Sequence, residues 1–228
     1  MKYAYYPGCS LTGSARKLDK GVRTIFARLG HELTEIPEWN CCGAFEYGDR
    51  RELVEMSRTN LSKAAPVTES EAIVAPCPAC YKNLREASAE TAHPVRHPLE
   101  ILGKEPLSPS LIKRDLKGEV FTPYYGCILM RPEATAISDK QVMERIITGL
   151  GGEIEGEKVK ARCCGGNQFF INRRSTERLS RMVLEGSRGT IVLFCPLCHM
   201  ALTSFSKGRR IIYFTDLLLH VTGDGKRL

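Results

Sequence analysis

Ala72-Ile73-Val74-Ala75-Pro76-Cys77-Pro78-Ala79-Cys80 and Thr190-Ile191-Val192-Leu193-Phe194-Cys195-Pro196-Leu197-Cys198 follow one plan, a short apolar run leading into Cys-Pro-x-Cys. Each run is bounded by turn formers, which predicts a strand entering a turn. Upstream, Lys2 to Tyr6 reads as a first strand. Ser14 to Leu29 reads as a helix with the apolar stripe Leu18, Val22, Ile25, Phe26 and Leu29, and Val142, Met143, Ile146, Ile147 and Leu150 form its counterpart. Asp49 is placed to cap a helix reaching about Ala64, and Ser175 to start its partner, reaching about Glu185. Strands alternating with helices imply an α/β lobe around a largely parallel sheet.

The chain is written twice. Tyr5-Tyr6-Pro7-Gly8-Cys9 is echoed by Tyr124-Tyr125-Gly126-Cys127, Leu29-Gly30-His31-Glu32-Leu33 by Leu150-Gly151-Gly152-Glu153-Ile154, and Cys41-Cys42-Gly43 by Cys163-Cys164-Gly165. The turn-rich stretch Gly103 to Ser110 marks the boundary. The expected organisation is two pseudosymmetric lobes, 1–104 and 118–228, joined by a linker at 105–117. Each is a small, largely parallel sheet flanked by helices, with its own five-cysteine site.

All ten cysteines belong to the repeat: Cys9, Cys41, Cys42, Cys77 and Cys80, then Cys127, Cys163, Cys164, Cys195 and Cys198. No extended apolar run opens or interrupts the chain, which implies a cytosolic protein with no transmembrane segment. In a reducing compartment five disulfides are not expected, so the thiols read as metal ligands or redox groups. Buried cysteines serving as small hydrophobes would not recur in register. A thioredoxin-like dithiol would account for Cys-x-x-Cys but leave three cysteines per lobe unused. In a parallel sheet, Cys9 and Cys77 emerge at one carboxyl edge, as do Cys127 and Cys195, so five donors can gather there. Adjacent cysteines diverge along the backbone, which suits ligation of two irons in one cluster, with Gly43 and Gly165 letting the backbone pass close to inorganic sulfur. Zinc held by four of the five thiols stays open as an alternative.

The formal charge of +7 counts every thiol as neutral, and its cations are scattered as pairs such as Arg50-Arg51, Arg173-Arg174 and Arg209-Arg210. That pattern describes a solvated surface or an anionic ligand, and no nucleic acid. Gly149-Leu150-Gly151-Gly152 ends a helix pattern, so it is not a dinucleotide turn.

The doubled set Cys9, Cys41-Cys42-Gly43, Cys77-Pro78-Ala79-Cys80 and Cys127, Cys163-Cys164-Gly165, Cys195-Pro196-Leu197-Cys198 resembles the tandem cysteine-rich CCG domains of the heterodisulfide reductase family, from Tyr5 to about Leu219. Two departures stand out: the chain is compact for that family, and only 30 residues separate Cys164 from Cys195 against 34 between Cys42 and Cys77. The resemblance implies a noncubane [4Fe-4S] cluster in each five-cysteine set, the two facing one cavity in which a disulfide is reduced by one electron from each, or thiols are oxidised in reverse. It implies a ferredoxin-like iron–sulfur subunit as electron partner with a flavin-containing subunit behind it, and a disulfide or thiol substrate, small or protein-bound. Cys9, Cys127 and His199 are the candidate catalytic residues. His199 follows Cys198, where it could protonate a departing thiolate or simply pack; Tyr81 holds the equivalent place. Glu46, Tyr47, Asn167, Gln168 and Lys82 are candidate pocket residues by position, whereas Trp39 and Arg162 precede the cysteine pairs as supporting ones. Two rivals remain: an electron-transfer subunit of a lactate, glycolate or succinate oxidising system, and a zinc-stabilised scaffold.

Overall fold

A computed structural model of the chain describes residues 1–44, 49–64, 70–88, 94–105 and 107–228. The first lobe runs β1 (Lys2–Tyr5), α1 (Gly8–Thr12), α2 (Arg16–Arg28), β2 (Glu32–Glu35), α3 (Arg50–Ser62), β3 (Ile73–Val74), α4 (Pro78–Ala87), β4 (Val95–Arg96) and α5 (Pro98–Leu102). The second runs β5 (Val120–Tyr124), α6 (Val142–Gly149), β6 (Glu153–Ile154), α7 (Arg173–Gly186), β7 (Thr190–Leu193), α8 (Pro196–Phe205), β8 (Ile211–Tyr213) and α9 (Phe214–Thr222). The sheets have matching orders, β2-β1-β3-β4 and β6-β5-β7-β8. Every pairing is parallel, with Ala4 opposite Ile73 in the first and Phe121 opposite Thr190 in the second. The expected two-lobed α/β architecture is therefore present.

The central strands are apolar on both faces because helices cover both, and Ala4, Tyr5, Ile73, Val74, Ile191, Val192 and Leu193 are fully buried. Leu18, Val22, Ile25 and Phe26 form the buried stripe of α2, as their spacing predicts. That helix begins at Arg16, and the residues before it make the separate short helix α1, which carries Cys9. Asp49 caps α3 through a capping box, its carboxylate accepting from the backbone N–H groups of Arg51 (2.7 Å) and Glu52 (3.1 Å). In α7 the cap is Asn172 rather than Ser175, since the Asn172 side chain accepts from the Ser175 N–H at 3.0 Å.

The lobes exchange their last helices. After β8 the chain lays α9 against α2 of the first lobe, and after β4 it lays α5 against α6 of the second. Gly21 of α2 makes the first crossing possible, because a Cβ there would stand 2.5 Å from Thr215 Oγ1. Lys17 pairs with Asp216 at 2.9 Å, and Arg28 pairs with Asp224, along the same seam.

His97 anchors the second crossing. It caps α5, its Nδ1 accepting the Leu99 N–H (3.3 Å) while Nε2–H donates to the Pro76 carbonyl (3.0 Å), a pairing only the neutral ring can make. The ring packs on Phe194 of the other lobe, with centroids 4.7 Å apart. Burial lowers its pKa to about 3, against a smaller upward pull from the Pro76 carbonyl. Since the unfolded chain takes up this proton near pH 6.5, the neutral ring's contribution is complete above that value and drains away as pH falls toward 3. We expect the unfolding free energy measured in urea to decline by up to about 1.4 kcal/mol per pH unit below pH 6 from this group. A His97→Gln chain should lose that component of the slope, and an unchanged slope would refute the assignment.

Candidate metal centre

In each lobe the chain leaves the central strand first to one side and then to the other, which opens a crevice at the carboxyl ends. Cys9 follows β1, Cys41 and Cys42 follow β2, and Cys77 and Cys80 open α4 directly after β3. Cys127, Cys163 and Cys164, and Cys195 and Cys198 stand in the same order after β5, β6 and β7. Both Cys-Pro-x-Cys motifs start a helix with proline in the first turn, so Cys77 and Cys195 occupy the helix N-cap, where the dipole favours a thiolate.

All ten cysteines are free thiols. Cys42 and Cys80 Sγ stand 3.2 Å apart, as do Cys164 and Cys198 Sγ. Thiol–thiol hydrogen bonds run within each set. A hydrogen bond from Cys80 lowers the Cys77 pKa, and one from Cys127 draws that of Cys163 down to about 6. Backbone amides supply more: Gly43 N–H points at Cys41 Sγ (3.4 Å), Gly165 N–H at Cys163 Sγ (3.3 Å) and Gly166 N–H at Cys164 Sγ (3.3 Å). Among the described residues no three His, Cys, Asp or Glu side chains close on a point as ligands of a single ion.

The framing residues repeat too. Tyr6 donates to the carbonyl of Asn40 and Tyr124 to that of Arg162, both at 2.5 Å, so each phenol holds the residue preceding its cysteine pair. Burial, followed by the nearby thiols, pushes both phenol pKa values far up and keeps these groups as donors. Ser57 and Ser180 donate to the carbonyls of Cys42 and Cys164. The glycines that crowd sulfur are Gly8 and Gly126, where a Cβ would meet Cys80 Sγ at 2.9 Å and Cys198 Sγ at 3.3 Å. Gly43 and Gly165 both have left-handed φ (+73° and +76°), and a Cβ there would meet Leu53 and Thr176.

A cavity of about 250 Å³ lies where the lobes meet. Cys127, Cys163, Cys164, Cys195 and Cys198 all line it, and the opposite wall comes from the first lobe: Leu53 and Val54 of α3 and Lys82, Asn83 and Glu86 of α4. None of the first lobe's five cysteines lines it. The expectation of one hollow shared by both sets is corrected here, because the first lobe presents to this cavity the first turn of α4, at Pro78 and Ala79, and the face of that helix carrying Lys82 and Glu86. Asn167 is on the wall as expected, and Gln168 is not among the lining residues. Glu46 and Tyr47 lie outside the described residues. Trp39 packs on Tyr6 and the Arg162 carbonyl accepts from Tyr124, so both support the cysteine loops.

His199 does not reach this cavity. Its ring stacks on Tyr213 at 4.4 Å and lines a separate hollow with Ser14, Met200 and Ser204. The repeat explains the pair, since Tyr81 and His97 occupy the equivalent positions in the first lobe, 5.6 Å apart, with the two ring types interchanged.

The donors fit an iron–sulfur group: each set offers five sulfurs, backbone amides directed at them and a glycine where a side chain would collide. Among the described residues no helix is long and apolar enough to cross a membrane.

Comparison with known proteins agrees with this reading of the repeat. The chain is 23% identical over 240 residues, covering 90% of itself and 83% of the relative, to the 8-methylmenaquinol:fumarate reductase membrane anchor subunit of Wolinella succinogenes. Its fold resembles the crystal structure of a hypothetical protein from Helicobacter pylori, with a TM-score of 0.71 at 9% identity. That match covers 99% of this chain but only 49% of the Helicobacter chain. The model of the cysteine-rich domain called CCG matches twice, at residues 3–85 and 121–203. These two copies carry both Cys-Cys-Gly turns and both Cys-Pro-x-Cys helix starts, and the chain belongs to the CCG cysteine-rich domain family.

Proposed function

We propose that the chain is the iron–sulfur subunit of a heterodisulfide-reductase-like complex, with each set of five cysteines holding a noncubane [4Fe-4S] cluster. The observation that carries this reading is the complete second set lining a cavity between the lobes, where a sulfur compound can meet it. When bound, such a cluster supplies electrons singly to a ligand sulfur. Reducing a disulfide takes two electrons and two protons and yields two thiols. The electrons come from a ferredoxin-like partner subunit fed by a flavoprotein, and the reverse reaction returns them.

The chain's own residues account for the rest. The amides of Gly43, Gly165 and Gly166 offset negative charge on sulfur, and the N-termini of α4 and α8 do the same at Cys77 and Cys195. Tyr6 and Tyr124 fix the backbone before each cysteine pair. Leu53, Val54, Ile128 and Leu197 make much of the cavity wall apolar and limit water. Cys127 is the candidate nearest the ligand. Cys9 belongs with the first set, and we assign His199 a packing role. A reducing, cytoplasmic setting suits ten free thiols.

A second reading, an electron-transfer subunit without a substrate of its own, is favoured by the similarity to a fumarate reductase subunit. Anaerobic purification separates the possibilities. We expect a brown protein with ~8 Fe per chain, whose spectrum changes on addition of a thiol. Iron without a thiol response would select the electron-transfer reading, and a colourless protein with zinc would overturn both.

A further inference from the structure

The repeat relates two hollows as well as two cysteine sets. An offset of 118 carries Pro78, Lys82 and Glu86, on the wall of the cysteine-lined cavity, onto Pro196, Met200 and Ser204, which line the hollow beside Ser14. The equivalent faces of α4 and α8 thus each look across the lobe boundary, but the outcomes differ. The first hollow reaches all five cysteines of the second lobe; the other is lined by no cysteine and is neutral where its counterpart is charged. Arg50 is already paired with Glu86. Lys82, partly buried on the cavity wall, has no ion-pair partner among the described residues. A half-sheltered ammonium beside apolar Leu53, Val54 and Leu197 is a receptor for one negative charge on a small, otherwise apolar molecule.

We infer that the two cysteine sets are not equivalent. The cavity admits one small organic thiol, or one end of a disulfide, whose sulfur meets the second set while its anionic group is received by Lys82 from the opposite lobe; the first set, none of whose cysteines lines this cavity, receives no ligand there. This rests on the proposed iron–sulfur reading and adds to it a direction, a stoichiometry and a charge requirement.

The test is calorimetric and spectroscopic titration of the anaerobically purified protein with 3-mercaptopropionate and with its neutral amide. One thiol should bind per chain, and the carboxylate should be preferred. Lys82→Met, which installs the residue found at position 200, should weaken carboxylate binding about ten-fold or more while leaving amide binding unchanged. Met200→Lys should change neither. Two bound thiols per chain, no binding at millimolar thiol, or equal affinities in wild type and Lys82→Met would overturn the inference. Iron measured on the same samples keeps the questions apart: absence of iron defeats the proposed function, whereas a full iron complement with two bound thiols defeats only this inference.

Discussion

Replacing Cys198 with Ala is expected to cut bound iron from ~8 to ~4 atoms per chain and to abolish the spectral response to thiols. Cys198 is buried, sits 3.2 Å from Cys164 and faces Gly126, so the exchange removes one sulfur of this close pair. The matching Cys80→Ala exchange should also halve the iron but preserve the thiol response, because the first set does not line the cavity. His199→Ala is the control and should leave iron content intact. Metal analysis alongside electron paramagnetic resonance of the reduced protein checks all three, and unchanged iron in both cysteine variants would sink the assignment of ligands.

The second large effect concerns the seam between the lobes. In Gly21→Ala the added Cβ would lie 2.5 Å from Thr215 Oγ1 and 2.7 Å from Thr215 Cβ, on a fully buried face where α9 cannot retreat without opening the interface. Alanine's better helix propensity, worth about 1 kcal/mol, favours the variant. Overpacking of about 1–3 kcal/mol or more opposes it and wins. We expect a net loss of about 1–2 kcal/mol, or roughly 2–8 °C in Tm, and a larger one for Gly21→Leu. Thr215→Gly should restore part of the loss in the double variant. Gly149→Ala has nothing within 4 Å of the new Cβ and should be neutral or slightly stabilising. If Gly21→Ala melted no lower than Gly149→Ala, the close crossing of α2 and α9 would be wrong.

Much of this was legible in the residues alone. The in-register cysteines identified the repeat, the apolar runs before Cys77 and Cys195 located the inner strands, and the period of Leu18, Val22, Ile25 and Phe26 located α2. The edge strands were harder to see, because β4 is two residues long and β2 is largely exposed, so neither carries an apolar run of its own. The role of Gly8 was hidden because what requires it is a sulfur 72 residues away in sequence, on Cys80. The unequal hollows were equally invisible. Lys82 and Met200 differ in the sequence, yet which helix faces which cysteine set depends on how the lobes dock, and that is set by contacts such as His97 on Phe194 and Gly21 against Thr215.

The traded helices α5 and α9 bear on ancestry. In a half-length chain the helix corresponding to α2 and α6 would receive its covering helix only from a second copy, as an interlocked homodimer with two identical hollows. Within one chain the two halves are free to differ, and Lys82 on one side against Met200 on the other is such a difference.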